Sequence, residues 1–186
     1  MEEVWQLYGE DGNPLKGQGG SKAEVRTGLL HGASHVWIFR RNEQTVEVLV
    51  QKRAVDKKTW PGCLDISAAG HIDLGETPLE AAVRETKEEI GLDISAEQLK
   101  PVGVYRTKMV TDTGIIENEF QFMYILEIGT DDKFQLQASE VASVIWENFD
   151  DFQNEVSKSE HRYVPHTKRY FGIVVKGIND VLEQVA

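Results

Sequence analysis

The chain has very little cysteine: Cys63 is the single one in 186 residues, so no internal disulfide can form. Disulfide-stabilised secreted domains are thereby excluded, and the composition is typical of a reducing compartment. Long apolar runs are also missing, since no segment approaches the ~20 apolar residues that cross a bilayer. The first residues, MEEVWQLYGEDG, are acidic and do not form a signal-peptide pattern. These absences predict a cytoplasmic protein that does not enter a membrane.

Positive charge is scarce as well. The 20 lysine and arginine residues stand against 31 aspartate and glutamate residues, which gives a formal net charge of −11. Nucleic acids and anionic membranes bind to positive surfaces, so neither is expected as a partner. A small phosphorylated ligand is compatible with this charge if local basic groups or a metal ion hold it. No repeat or domain boundary is visible, so the length of 186 residues predicts one domain over residues 1–186, and the 40% hydrophobic content is typical of a globular protein.

Short apolar runs interleaved with helical patterns predict an α/β (α+β) fold in which helices pack on a mixed sheet. The predicted strands lie within residues 4–14, 35–40, 46–53, 64–69, 102–107, 120–127 and 142–146. Helices are predicted over residues 22–28 and roughly 166–185, the latter with an apolar stripe at helical spacing. The glycine-rich GQGGS segment, residues 17–21, is interpreted as a flexible connection.

The strongest helix signals lie in the middle of the chain. Thr77 is a good N-cap residue, Pro78 suits the first helical position, and Glu80 completes a capping box. Gly91 is a typical residue just past a helix, so the helix is expected to end near Ile90.

Three glutamates, Glu85, Glu88 and Glu89, lie close together on this helix, spaced i, i+3 and i+4. They are expected on a different face from the stripe that packs against the sheet, which consists of Leu79, Val83, Thr86 and Ile90. Like charges at these spacings repel, so they form either a solvated acidic face or a site for a divalent cation. For the helix alone, the solvated face is the favoured interpretation.

The flanking residues change this balance. Five residues separate Gly70 from Glu76, and seven separate Glu76 from the pair Arg84-Glu85. The pair Glu88-Glu89 follows after two more residues, and Gly91-Leu92 after one more. This order resembles the Nudix box, with Thr86 as the one departure, where the family usually has an aliphatic residue. The resemblance implies a Nudix fold with a mixed sheet between helices and a loop–helix–loop catalytic motif. It also implies an Mg²⁺- or Mn²⁺-dependent hydrolase that cleaves a diphosphate linkage in a small molecule, such as a nucleoside diphosphate derivative.

Position by position, the resemblance also assigns residue roles. The metal ligands it implies are Glu85, Glu88, Glu89 and the backbone carbonyl of Ala69. Arg84 would orient Glu85, and Glu76 would brace the loop against the helix. The predicted catalytic residues are therefore Glu76, Arg84, Glu85 and Glu88.

A second resemblance extends to about residue 126 and concerns the type 1 isopentenyl diphosphate isomerase branch of Nudix proteins. The matching segments are LLHGASHVWIFR, LVQKRAVDKKTWPGCLDISAAGH and ENEF. Isomerases carry an essential cysteine where this chain has Ala69, and alanine has no group that moves a proton. The resemblance therefore implies a hydrolase on an isomerase-like framework. Residual isomerase activity and non-catalytic binding of a nucleotide or sugar phosphate are the alternatives.

Isomerases also build a metal site from three histidines and two glutamates. His31, His71, Glu117 and Glu119 match four of these positions, and Glu24 stands where the third histidine belongs. With that histidine missing, ligation by His31 and His71 is not the favoured interpretation. Glu119 is predicted as a metal ligand, and His71 and Glu117 as substrate contacts.

A basic cluster, Lys52, Arg53, Lys57 and Lys58, precedes the WPG turn. Arginine binds phosphate in bidentate fashion and lysine acts as a point charge. Arg53 and Lys57 are the predicted contacts to the diphosphate of the substrate. Many relatives dimerise, so a homodimer is an open alternative to a monomer.

Overall fold

The computed structural model describes residues 3–42, 45–57, 59–111 and 113–184. Its strands are β1 (Val4–Tyr8), β2 (Pro14–Ser21), β3 (His31–Asn42), β4 (Thr45–Arg53), β5 (Leu64–Asp65), β6 (Ala68–His71), β7 (Lys100–Val110), β8 (Ile116–Glu127) and β9 (Val141–Asn148). Its helices are α1 (Lys22–Val25), α2 (Pro78–Ile90), α3 (Phe149–Val156) and α4 (Lys168–Glu183), with a 3₁₀ turn at Ala96–Gln98.

Strand β3 is the centre of the sheet. It pairs with β1, β4 and β6 in antiparallel fashion and with β8 in parallel fashion. The register with β8 sets His31 opposite Glu119, and the register with β6 sets His35 opposite Ala69. The long-range pairings of β3 therefore bring together residues that are far apart in the sequence.

Helices cover both faces of the sheet. Because strand side chains alternate, Val36 and Ile38 pack on one side of β3, whereas Trp37 and Phe39 pack on the other. Helix α2 covers the first side, and α3 and α4 cover the second. The prediction of a mixed sheet between helices is thus confirmed. Within the described ranges, no helix is long and apolar enough to cross a membrane.

The glycine-rich segment at residues 17–21 differs from its prediction, because it belongs to strand β2 and pairs with β1. A Cβ atom on Gly19 would lie 2.4 Å from Val4 Cγ1, and one on Gly20 would lie 3.0 Å from Val25 Cγ1. These glycines therefore allow close packing and do not provide a flexible connection. Helix α3 was not predicted from the sequence.

The ends of α2 follow the sequence signals. The Thr77 hydroxyl accepts a hydrogen bond from the Glu80 amide at 3.3 Å, and the Glu80 carboxylate accepts one from the Thr77 amide at 2.8 Å. Gly91 has a φ of 72°, the left-handed conformation that favours glycine. The helix therefore spans the predicted residues.

The expected faces of α2 need one correction. Glu89 lies on the buried side with Ala82, Thr86 and Ile90, unlike the exposed Glu88, and is 7% exposed. Positions 82, 86, 89 and 90 are spaced i, i+4, i+7 and i+8, which is one helical stripe. Thr86 fits the core because its hydroxyl donates to the carbonyl oxygen of Ala82 at 2.7 Å.

Residues 135–137 cover the C-terminal end of α2. The amide of Gln135 donates to the Ile90 carbonyl at 2.8 Å, and the amide of Gln137 donates to the Glu89 carbonyl at 2.9 Å. The last carbonyl groups of a helix need such partners from elsewhere. This segment therefore fixes the turn of α2 that carries Glu89.

Candidate active site

A cavity of about 750 Å³ lies where β6 meets α2, and we call it the main cavity. Its charged and polar lining includes Lys22, Arg26, His31, Arg53, Lys57, His71, Arg84, Glu85, Glu88, Glu89, Glu117 and Glu140. Among the described residues, eight carboxylates and five lysine or arginine side chains line it. The volume lies within the range of ~300–1,000 Å³ typical of small-molecule sites. The excess of carboxylates means that a diphosphate needs added positive charge to bind here.

Arg84 connects the loop before α2 to the acids on the helix. Its Nε and Nη2 atoms each donate to the Glu76 carboxylate at 2.9 Å, and Nη2 also donates to the His71 carbonyl at 2.9 Å. Nη1 donates to Glu85 at 2.6 Å and to Glu88 at 3.3 Å. The contacts suit the predicted roles, with Arg84 orienting Glu85 and Glu76 bracing the loop.

Gly70 makes room for Glu85. A Cβ atom on Gly70 would lie 2.0 Å from Glu85 Cδ and 2.1–2.4 Å from its carboxylate oxygens. The Glu85 carboxylate therefore lies directly against the backbone of β6 at Gly70. Burial raises the pKa of Glu85, and the positive charge of Arg84 acts in the opposite direction.

Glu89 is the most buried of the three acids. One carboxylate oxygen accepts hydrogen bonds from the Ala69 amide at 3.0 Å and the Gln51 side chain at 3.2 Å. Burial raises the pKa of Glu89 to about 8, and the nearby charge of Glu85 adds to this effect. A bound cation would favour the ionised forms of Glu85 and Glu89, so this pair fits a divalent metal.

Glu88 differs from Glu85 and Glu89, because 53% of its side chain is exposed, and it forms an ion pair with Arg84. Among the described residues, the ligand atoms of Glu85, Glu88 and Glu89 do not converge within 4.8 Å as a group. Arg84 holds Glu85 and Glu88 in a common network. All three predicted ligands nevertheless line the main cavity.

A second cluster with metal-ligand chemistry forms across β3, β6 and β8. The ligand atoms of His31, His71 and Glu119 lie within 4.8 Å of one another. His31 Nδ1 lies 2.9 Å from the Leu29 carbonyl, so Nδ1 carries the proton and Nε2 has a free lone pair. His31 Nε2 is buried and has no hydrogen-bond partner among the described residues. This unpartnered atom fits a metal ligand, an interpretation that the sequence did not favour.

The surroundings of this cluster keep both imidazoles neutral. The ring of His71 stacks on Trp5 with 3.5 Å between the ring centroids. Burial is the main cause that lowers the pKa of both His31 and His71. Glu24, in the place of the third histidine, is exposed and accepts hydrogen bonds from the Ser21 amide and hydroxyl at 2.8 and 2.7 Å. It therefore caps α1 and does not join the cluster.

The predicted diphosphate contacts lie at the main cavity but have partners within the protein. Arg53 Nη1 donates to Asp65 at 2.7 Å, its Nε and Nη2 donate to the Thr59 carbonyl, and Lys57 pairs with Glu140. Lys58, from the same basic cluster, lies outside the described residues.

Sequence reasoning missed two other cationic residues, Lys22 and Arg26, whose side chains line the same cavity. Their i, i+4 spacing on the predicted helix at residues 22–28 was the available signal.

A smaller cavity of about 180 Å³, the side cavity, adjoins the main cavity. The two share Arg53, Thr59, Ala69, Gly70, His71 and Glu117. The side cavity also contains polar groups that the sequence did not single out, namely Asp65, Gln121 and His166, together with His35 and Glu119. His35 is buried, and its Nδ1 lies 2.8 Å from the Tyr170 hydroxyl, so it forms a hydrogen bond within the core.

Residues 29–167 match the family model described as the NUDIX domain. The chain belongs to the Nudix family. The match includes the central helix, both histidines of the second cluster and the loop that carries Glu76.

The chain is similar to two kinds of Nudix protein, a Nudix hydrolase and isopentenyl-diphosphate isomerases. Nudix hydrolase 3 of Arabidopsis thaliana is 39% identical over 145 residues, which are 76% of this chain and 18% of that protein. An isopentenyl-diphosphate Delta-isomerase of Escherichia coli is 33% identical over 123 residues, which are 63% of this chain and 65% of the isomerase. The chain thus spans a minor part of the first relative and about two thirds of the second. These similarities support a Nudix protein of the isomerase-like branch.

The fold comparison agrees. The NUDIX domain of Shewanella oneidensis NrtR, solved with ADP ribose, superposes with a TM-score of 0.59 at 15% identity. The superposition covers 88% of this chain and 99% of that one. At this level of identity the likeness concerns the Nudix fold.

Proposed function

We propose that this Nudix protein is a divalent-metal-dependent hydrolase that cleaves a diphosphate linkage in a small molecule. The observation that supports the proposal best is the Arg84 network, which connects Glu76, Glu85 and the His71 carbonyl at the wall of the main cavity. Gly70 allows Glu85 to approach the β6 backbone, and Glu89 is held against the same strand by the Ala69 amide. The site thus presents carboxylates and a backbone carbonyl, which are ligands that Mg²⁺ and Mn²⁺ prefer.

In this proposal Glu85, Glu88, Glu89 and the Ala69 carbonyl hold the cation. When bound, it would neutralise diphosphate charge and acidify a water molecule. The cationic residues Lys22, Arg26, Arg53 and Lys57 surround the cavity and would bind the outer phosphate oxygens. A carboxylate of this site would accept the proton from the attacking water.

The test measures release of phosphate or nucleotide from a panel of nucleoside and prenyl diphosphates with Mg²⁺ or Mn²⁺. Glu88→Gln is the informative variant, because Glu88 is half exposed and its replacement leaves the core intact. Glu80→Gln on the same helix is the matched control, since glutamine also completes a capping box. We expect Glu88→Gln to lose at least about 10²-fold in kcat and Glu80→Gln to match the parent protein. No turnover of any substrate would contradict the hydrolase, and an unaffected Glu88→Gln variant would contradict the site.

Isomerase-like activity is a second candidate, because His31, His71 and Glu119 converge as in the metal site of the isomerase branch. The residue at the position of the essential cysteine is Ala69, which cannot transfer a proton to carbon. The test is incorporation of deuterium from the solvent into isopentenyl diphosphate. Hydrolysis without exchange supports the hydrolase, and exchange at a rate comparable to hydrolysis supports the isomerase.

A further inference from the structure

The side cavity continues the main cavity past Ala69. Along β6 the side chains alternate: Ala68 packs in the core on the α2 side, and the missing Cβ of Gly70 points at Glu85. Ala69 packs toward the opposite side, against the core below α4. The methyl group of Ala69 therefore lies at the passage between the two cavities. A group esterified to a diphosphate in the main cavity can extend past this small side chain.

The side cavity contains two buried polar atoms that have no hydrogen-bond partner in the part of the chain that the structure describes. Gln121 is 3% exposed; its Nε2 donates to Glu119 at 3.3 Å, and its Oε1 has no partner among the described residues. His166 Nε2 is equally unpartnered within the described ranges, since 3.9 Å to Asp65 Oδ1 is too long for a hydrogen bond. Native proteins rarely leave buried polar atoms unpaired. These two atoms indicate a ligand that forms hydrogen bonds.

Charge and size restrict what that ligand can be. The carboxylates of Asp65, Glu117 and Glu119 line the side cavity, and the guanidinium of Arg53 already pairs with Asp65. A second phosphate or a carboxylate would be repelled there. A hydrocarbon would leave the polar groups desolvated and unpaired. At about 180 Å³ the space is below the ~300 Å³ of a site for a drug-sized ligand, so it takes a fragment of the substrate.

We propose that the side cavity binds a small, non-anionic, hydroxyl-bearing group of the substrate, and that Asp65, Gln121 and His166 select this group over a hydrocarbon. The proposal rests on the proposed hydrolase, because it concerns the group attached to the diphosphate that is cleaved. It gives the three residues a role in specificity, separate from the carboxylates that hold the cation.

The experiment compares two probes that share adenosine diphosphate and differ in the second ester: ADP-ribose, and the n-pentyl ester of ADP. His166→Phe preserves the aromatic stacking on Tyr170, whose ring centroid lies 4.0 Å away, and removes the imidazole nitrogens. Gln121→Met removes the amide at similar length. His161→Phe is the matched control, because His161 packs on Phe171 and is not part of either cavity lining.

Two measurements distinguish the proposed role of the side cavity from the proposed hydrolase activity. The kcat/KM of both probes is measured with Mg²⁺, and their Kd is measured by calorimetry with Ca²⁺, which takes the same oxygen ligands. We expect the parent protein and His161→Phe to prefer ADP-ribose by at least about tenfold in both readouts. In His166→Phe and Gln121→Met the preference should fall toward unity. If circular dichroism shows that one of these two variants does not fold, the preference of the other variant tests the proposal.

Three results would overturn the role of the side cavity: equal or better binding of the pentyl ester by the parent protein, an unchanged preference in the folded variants, or no binding of either probe. Hydrolysis of both probes with similar kcat/KM would overturn only the proposed role of the side cavity and would support the hydrolase. Tighter binding of ADP-ribose than of the pentyl ester with Ca²⁺, without hydrolysis of either with Mg²⁺, would support the role of the side cavity and count against the hydrolase.

Discussion

Replacing Gly70 by alanine tests the close approach of β6 to Glu85. The added Cβ would lie 2.0 Å from Glu85 Cδ, whereas ordinary van der Waals contact begins at 3.4 Å, so the carboxylate must move by roughly 1.4 Å. The φ of Gly70 is not in the left-handed region, so the substitution introduces a steric clash without backbone strain. A displacement of ~1 Å at reacting groups can cost about 10² in rate. We therefore expect kcat for diphosphate hydrolysis to fall at least about 10²-fold.

The same substitution should also lower stability. Overpacking of a dense site costs about 1–3 kcal/mol, and the partly exposed Arg84–Glu85 pair contributes little in addition. Thermal unfolding followed by circular dichroism measures this change. Gly172→Ala in α4 is the matched control, because its added Cβ would meet nothing within 4 Å. In that helix alanine should stabilise by roughly 0.5–1 kcal/mol and leave kcat unchanged.

A shorter acid provides the decisive comparison. Glu85→Asp withdraws the carboxylate by one methylene, so in the Gly70→Ala background it should relieve the clash. The double variant is then expected to be less impaired than the product of the two single effects. Full activity of Gly70→Ala, or strict additivity in the double variant, would refute the reasoning that Gly70 is needed for the position of Glu85.

Three other variants test neighbouring features. Arg84→Lys replaces the planar guanidinium with a point charge that cannot hold Glu76 and Glu85 together, so kcat should fall by about 10²; unchanged kinetics would contradict the network. Thr86→Val removes a fully buried hydroxyl bonded within its own helix, so urea unfolding should show a change within about 1 kcal/mol; a larger loss would contradict this. Burial lowers the pKa of His35 from 6.5 to about 3, so the unfolded chain binds the extra proton and this histidine alone should lower the stability by about 2 kcal/mol from pH 7 to pH 5. In His35→Phe, the free energy of unfolding measured with urea should change less between pH 7 and pH 5. The same change as in the parent protein would show that His35 is not its cause.

The local features of the site could be predicted from sequence because they depend on neighbours in the chain. Thr77, Pro78 and Gly91 determine where α2 begins and ends through backbone hydrogen bonds within a few residues. The burial of Glu89 could not be inferred in this way. An acid is ordinarily placed on the solvent side of a helix, and here the amides of Ala69 and Gln51 compensate its burial.

The side cavity depends on long-range contacts and was therefore not predicted. Gln121 reaches it through the parallel pairing of β3 with β8, and His166 through the packing of α4 on the sheet. Neither residue belongs to a local motif, and no periodicity connects them. The convergence of His31 with Glu119 is an intermediate case, because the resemblance suggested both residues and the strand register places them opposite each other.

The cover that residues 135–137 form over α2 has a consequence for engineering this protein. Surface segments between strands are usually where insertions and deletions are tolerated. Here two amides of the segment hold the last turn of the helix, and a Cβ atom on Gly91 would lie 2.6 Å from Gln135 Cβ. Changing the number of residues between β8 and Gln135 would disturb these hydrogen bonds and displace the helical turn that carries Glu89. Libraries that aim to alter substrate range should therefore vary side chains in this segment while preserving its length.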